Sequence, residues 1–452
     1  MSGASSSPSG LRVFATVWAG QVVSHVGSLL TSFATGVWVY QHTGSATKFS
    51  LISLCLTLPG LLVAPLSGAL VDRWDRRWSM LLGDGCDALL RLPLLYLLVT
   101  GQLAVWHLYL IVALSSLFHS FQVPAFAAST PLLVPKRHLA RANGWVQAGL
   151  SGAQILSPLS AGFLMGTIGF SGIVILDLTT ACLGITSLLL VRLPRPEPAE
   201  RQAGQPPPSL LHSAAEGWRY IRERKGFLRL VTLTGSLNFC FGMVYVLLTP
   251  LVLSFAGSRE LGMVLGCASF GILTGSLVTG TWGGPKRRMP GIFWFVLTQS
   301  LVLALAVLRP HLLLIAAGAM IYMSFNPIIS SSIRTIWQTK VLPEMQGRVF
   351  ALGSMISSSA IPLAALVAGP LADRFFEPWM APGGRLAASA GLLLGVGQGR
   401  GIALLCVLAA LLMAAFVGLA YRDPRLRNVE QEIPDAIVDE KPLPVPQETA
   451  SA

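Results

Sequence analysis

The sequence predicts an all-α membrane protein, with twelve transmembrane helices arranged as two six-helix, pseudo-symmetric bundles. Three observations predict it. Hydrophobic residues make up 53% of the 452 and charged ones only 12%, against about 25% charged in an average soluble domain, so lipid is the expected solvent. Apolar runs long enough to cross a bilayer recur along the chain. A long polar interruption then divides these runs, and a weak echo relates the two parts. Leu133-Val134-Pro135 followed by Arg141 returns as Val341-Leu342-Pro343 followed by Arg348, each opening the fifth helix of its half.

In chain order, residues 1–10 form a polar leader expected to be disordered and cytoplasmic. The first bundle, residues 11–193, has helices expected near 12–40, 47–71, 79–100, 105–128, 143–168 and 171–192. The first apolar stretch is too long for a signal-peptide core and stays as a span. The linker, 194–226, opens with a proline-rich run and closes with Ser209 to Lys225, an amphipathic basic segment suited to the membrane surface. The second bundle, 227–421, has helices expected near 227–255, 261–282, 291–308, 311–335, 348–372 and 401–421. The Gly- and Pro-rich stretch from Asp373 to Gly401 reads as a flexible connector rather than a lid. Residues 422–452 are expected to be a disordered cytoplasmic tail.

Sidedness follows from the basic residues. Arg73, Arg76, Arg77, Lys136, Arg137, Lys286, Arg287 and Arg288 fall in alternate loops, while the intervening loops offer few, such as Lys48 and Arg309. The richer loops and both termini are therefore expected on the cytoplasmic side of a cell (inner or plasma) membrane. This distribution explains a net charge of +12 without a nucleic-acid partner. Cys55, Cys86, Cys182, Cys240, Cys267 and Cys406 sit in apolar segments without paired spacing, which fits buried free thiols and neither a disulfide framework nor a metal site.

Between the second and third helices the chain reads Gly68-Ala69-Leu70-Val71-Asp72-Arg73-Trp74-Asp75-Arg76-Arg77, a dense charged turn that must lie in water. This G-x-L-x-D-R-x-x-R-R spacing resembles the corresponding loop of the major facilitator superfamily. Trp18-Ala19-Gly20-Gln21, Thr43-Gly44-Ser45, Thr130 to Pro135 and Gly347-Arg348-Val349-Phe350 resemble its macrolide-efflux and enterobactin-exporter branch. The resemblance runs from about Leu11 to Tyr421 and implies the major facilitator fold. It also implies that Gly68, Asp72, Arg73, Arg76 and Arg77 form a cytoplasmic gate latch: the glycine lets helices approach, Asp72 accepts hydrogen bonds and the arginines donate them. Ala153, Ser157, Pro158, Ala161 and Gly162 in the fifth helix resemble, in degenerate form, the superfamily's antiporter motif. One departure stands out. The family's fourth helix often carries a buried arginine tied to proton transfer, and Ser115 to Ser120 contains none.

Polar residues inside lipid-buried helices face a cavity or one another. Gln21, Ser24, His25, Ser28 and Ser32 form one helical stripe. The fourth helix carries Ser115, His119 and Gln122, the seventh Thr234, Asn238, Tyr245 and Thr249, and the tenth Tyr322, Asn326 and Ser330. The resemblance assigns these four helices to a central substrate cavity, polar but nearly uncharged, with Phe33, Trp38, Phe239, Phe241 and Phe325 nearby. That favours a bulky amphipathic organic substrate. Asp84, Asp87 and Arg91 share one face of the third helix, where mutual pairing lowers the cost of a lone membrane charge from about 2.5–3.5 kcal/mol. They and Asp177 read as structural ion pairs or as a proton relay, while His25 and His119 are the candidates whose charge changes near neutral pH.

The expectation is thus a monomeric secondary active efflux transporter of a drug, macrolide, siderophore or other secondary metabolite, driven by protons and in contact with membrane lipid. It is no enzyme, since there is no Walker A loop, metal-ligand cluster or paired nucleophile, and no cofactor is implied. The alternatives are an importer or facilitator, a lysophospholipid flippase of the same fold, or a non-transporting metabolite receptor.

Overall fold

The computed structural model describes residues 8–71, 75–134, 138–191 and 210–432. The first half contains α1 (Pro8–Thr43), α2 (Ala46–Val71), α3 (Arg76–Val99), α4 (Val105–Leu133), α5 (Leu139–Thr167) and α6 (Gly169–Leu190). The amphipathic α7 (Leu210–Glu223) leads into α8 (Lys225–Leu253), α9 (Ser258–Trp282), α10 (Arg288–Ala306), α11 (Leu312–Lys340), α12 (Pro343–Ser358) and α13 (Ala360–Leu371). A π-helical turn, Ala372–Phe376, and short helices α14 (Glu377–Met380) and α15 (Ala390–Leu394) precede α16 (Arg400–Arg422), α17 (Pro424–Arg427) and α18 (Val429–Glu432).

Among the described residues, ten helical stretches are long and apolar enough to cross a membrane. Helices α3 and α5 are also long, with 24 and 29 residues, and take their places between the others in chain order. α3 carries charged groups at mid-length, and α5 carries small and polar ones, which lowers their hydropathy without shortening them. This is consistent with twelve passes. Most helix ends lie within a few residues of their expected positions; α4 and α11 run about one turn longer, α1 and α5 begin about one turn earlier, and the helix expected at 348–372 begins at Pro343 and is divided into α12 and α13.

The elements of each half pack mainly with one another. In the first half, α1 lies against α6 so closely that a Cβ on Gly20 would meet Ser187 and one on Gly27 would meet Thr180. In the second, Gly271 and Gly275 of α9 lie directly on the α11 backbone at Met320 and Ser324. Glycine is what permits helix axes this near in lipid, where apolar surface alone gives no drive to associate.

One expected disorder boundary and one expected flexible connector are corrected. Residues 422–432 pack against the second bundle: Leu426 and Val429 are buried, Asp423 pairs with Arg229, and Glu430 accepts from the Arg288 and Met289 amides at 3.1 and 3.0 Å. A carboxylate at a helix N-terminus satisfies otherwise unpaired amides and opposes the helix dipole. Residues 373–400 fold for the same reason. Glu377 accepts from the Gly399 and Ile402 amides at the start of α16 at 3.0 and 2.9 Å, and Met380 and Leu394 are buried beneath it. The basic segment expected at 209–225 is helical as α7, and its Glu216 pairs with Arg348 of α12.

Candidate functional site

The twelve long helices define two faces, here called the terminal face, where α1 begins and α16 ends, and the opposite face. The closest approaches between the halves lie toward the opposite face. There α5 crosses α9 with backbone against backbone: a Cβ on Gly162 would stand 2.6 Å from the Ser258 carbonyl oxygen, and one on Gly262 2.4 Å from that of Pro158. The Ser269 hydroxyl donates to the Gln154 carbonyl at 2.9 Å. Alongside, α13 meets α2, with Gly369 against Thr47. Asp373, from the second half, caps α2 of the first: its carboxylate accepts from the Ala46 amide at 3.0 Å, the Thr47 amide at 2.8 Å and the Ser45 hydroxyl at 2.5 Å.

The antiporter-like motif therefore lies at this closure. Ala153, Ser157 and Ala161 are buried, the Ser157 hydroxyl reaches the Val26 carbonyl of α1 at 3.5 Å, and Pro158 and Gly162 meet α9. Of the latch residues, Asp72 and Arg73 lie outside the described residues. Gly68 ends within α2 and Arg76 opens α3. The Arg77 guanidinium donates to the carbonyls of Leu188 and Leu189 at 3.0 and 2.8 Å, closing the C-terminal end of α6.

Inside the first bundle the expected cavity stripes on α1 and α4 turn instead toward α3 and α6. The Gln21 amide donates to Asp84 at 2.7 Å, and the Gln122 amide donates both to Gln21 at 2.7 Å and to Asp84. One turn toward the opposite face, His25 and His119 stack at 6.2 Å between centroids. One turn further, Arg91 donates to Ser28 at 3.0 Å, pairs with Asp87 at 2.6 Å and pairs with Asp177, while Ser115 donates to Asp87. Ser24 is buried against Gly184 of α6. Gln21, Ser28, Ser115 and Gln122 are thus members of a hydrogen-bonded ladder in which Gln21 is buried and the other three are half-buried. Polar groups in hydrocarbon take the nearest partner, here the α3 carboxylates.

The expected mutual pairing of Asp84, Asp87 and Arg91 is half realised. Arg91 takes Asp87 and, from α6, Asp177, which is fully buried. Among the described residues, Asp84 is held by two neutral amides alone.

The second bundle holds a cavity of about 530 Å3, within the range of small-molecule sites. Asn238 of α8, Tyr322 and Asn326 of α11, and the Ser354, Ser357 and Ser358 run at the α12–α13 junction supply its polar wall. Phe241, Trp337 and Phe350 supply its aromatic wall. Several of these groups are already fixed. Asn238 donates to the Ser357 carbonyl at 2.9 Å, the Tyr322 hydroxyl meets the Met413 sulfur at 3.8 Å, and Trp337 stacks on Phe227 at 4.9 Å. Tyr245, expected here, does not line this cavity; it is exposed and stacks on Phe241.

Arg334 also lines the cavity, near the terminal-face end of α11. It is absent from the expected site because the predicted tenth helix stops at 335, which leaves Arg334 looking like an interfacial charge. The observed helix continues to Lys340. The usable signal was a single guanidinium following the polar stripe Tyr322, Asn326, Ser330 at one further turn. Among the described residues no group of histidine, cysteine and acidic side chains is arranged to hold a metal ion.

Comparison with known proteins agrees with this geometry. The profile described as Major Facilitator Superfamily matches residues 17–365. Macrolide efflux protein A of Streptococcus pyogenes is 29% identical over 367 residues, covering 80% of this chain and 89% of its own length. Multidrug efflux pump Tap of Mycolicibacterium fortuitum is 27% identical over 379 residues, covering 80% and 88%. Among solved structures, a bacterial homolog of the human lysosomal transporter Spinster, in an inward-facing and unoccupied conformation, superimposes with a TM-score of 0.68 at 16% identity over 92% of this chain and 97% of its own. The nucleoside transporter NupG gives 0.62 at 14% over 90% and 98%. At such identities the structural likeness concerns the fold alone.

Proposed function

The chain belongs to the Major Facilitator Superfamily, and from that premise we propose that it is a proton-driven exporter of bulky amphipathic organic compounds working by alternating access. The efflux proteins it resembles support that direction. The observation that carries the reading is the asymmetry between the faces: the halves are sealed by α5–α9 and by the Asp373 cap on the opposite face, while the cavity of the second bundle reaches to the last turns of α11 at the terminal face. Its basic loops favour the terminal face as the cytoplasmic one, and on that reading this is the state that loads substrate from inside. Export then requires the α5–α9 and Asp373 contacts to part and the terminal face to close.

Protons enter through the ladder. Three carboxylates, Asp84, Asp87 and Asp177, face one guanidinium, Arg91. Two of them share Arg91. Among the described residues Asp84 has only Gln21 and Gln122 as hydrogen-bond partners, and a primary amide can donate to an ionised carboxylate or, turned over, accept from a protonated one. Asp84 is therefore suited to bind and release a proton without stranding its partners, and the His25–His119 pair one turn away is suited to hand the proton on. A relay of this kind needs no arginine in the fourth helix.

Expression in an efflux-deficient bacterial host, with susceptibility measured to erythromycin, fusidic acid and novobiocin, tests this proposal. Resistance to at least one should rise several-fold and should vanish with Asp84→Asn, with the protein still present in the membrane. Increased susceptibility would indicate import, and no change with any compound would overturn export of this class.

A further inference from the structure

Resting on the export reading, we infer that the cavity of the second bundle takes an amphipathic organic anion, whose acidic group binds the Arg334 guanidinium while its apolar body lies on the aromatic wall. Every other polar group on the cavity lining is neutral: amides, hydroxyls and an indole. Among the described residues no acidic side chain lines it, and none forms an ion pair with Arg334. This sets Arg334 apart from Arg348, which pairs with Glu216, and from Arg91, which has two carboxylates.

Arg334 stands six residues before the end of α11, roughly 9 Å along its axis. Its side chain is exposed to the open cavity, and water serves it there. When the halves close over the cavity that water is lost, and a guanidinium moved into low dielectric without a counter-charge is costly. A carboxylate, sulfonate or phosphate on the substrate supplies the counter-charge, in the two-pronged geometry that guanidinium favours. Around it, Gln338 one turn further along and Ser330 one turn back offer neutral hydrogen bonds, and Trp337, held by its stack on Phe227, offers a fixed flat surface. The wall is therefore preorganised for a planar or polycyclic body with one acidic end, and the first bundle's carboxylates are kept away from that end by their own partners.

The test is equilibrium binding to the purified full-length protein in nanodiscs, without any gradient, using fusidic acid, its uncharged methyl ester and lysophosphatidylglycerol. The wild type should bind the acid about 10-fold or more tightly than the ester, as expected when a buried charge-assisted pair is lost. Arg334→Gln should bring that ratio close to one while leaving ester affinity unchanged, which also shows that the variant is folded. Arg334→Lys should retain part of the preference. Tighter binding of lysophosphatidylglycerol than of fusidic acid, with the same loss in Arg334→Gln, would support the anion site and identify a lipid headgroup as its source. Equal preference in wild type and Arg334→Gln, no preference for the acid, or no binding of either anion would overturn the inference. Because no transport is measured, each of these results leaves export and proton coupling to be judged separately.

Discussion

The two bundles share a helix plan but not an interior. In the first, the apolar core is interrupted at mid-height. One cluster, with Leu30, Leu94, Leu108 and Ile173, lies toward the opposite face, and another, with Val17, Met80, Ala125 and Leu188, lies toward the terminal face. Between them on the same four helices sit Gln21 to Ser28, Asp84 to Arg91, Ser115 to Gln122 and Asp177. In the second bundle one apolar cluster runs the whole height, from Met380 and Leu394 to Ala420 and Leu426, and polar side chains gather on the cavity wall. One half is thus equipped to hold charge within itself, the other to present a surface to a guest. Under the proposed function, that difference divides coupling and substrate between the halves.

The largest effect that can break the comparison is at the ladder's ion pairs. Arg91→Met leaves Asp87 and Asp177 without a cation and should destabilise the first bundle by about 3–5 kcal/mol, read as a lower melting temperature or loss of folded protein. Arg334→Met, by contrast, should leave melting unchanged, because it breaks no pair.

Next comes the joint between the halves. Gly262→Val puts a side chain where the Pro158 carbonyl stands, an overpacking of about 1–3 kcal/mol. It should drive the opposite face apart, measured as a fall in disulfide cross-linking between cysteines introduced at Gln154 and Ser269 in a background without native cysteines. Asp373→Asn keeps the shape of the α2 cap but removes its charge. A cost of about 1 kcal/mol should lower the same cross-linking more modestly. If neither variant changes it, closure does not depend on these contacts.

The smallest expected effect is at the histidines. His25→Gln with His119→Gln should slow proton-driven export without abolishing its dependence on the gradient, whereas complete loss of that dependence would move the proton site from Asp84 to the imidazoles.

Much of this was legible in the chain. Apolar runs located the long helices, and the period-3.6 stripe on α1 reads as a continuous polar face. Which neighbour that face meets is a property of packing: Gln21 and Asp84 are 63 residues apart, and nothing local tells whether an amide looks toward a cavity or toward α3. Asp373 and Glu377 fell in a Gly- and Pro-rich stretch that reads as connector, because the helix N-termini they cap come from elsewhere in the chain. Arg334 was hidden by its closeness to an assumed helix end.

The most direct measurement is the collapse of a respiration-driven pH gradient in inverted membrane vesicles on adding fusidic acid, with vesicles lacking the protein as background. Division of labour predicts that wild type releases protons in response to the compound and that Asp84→Asn does not, although it still binds it. Proton release by Asp84→Asn equal to that of the wild type would contradict it.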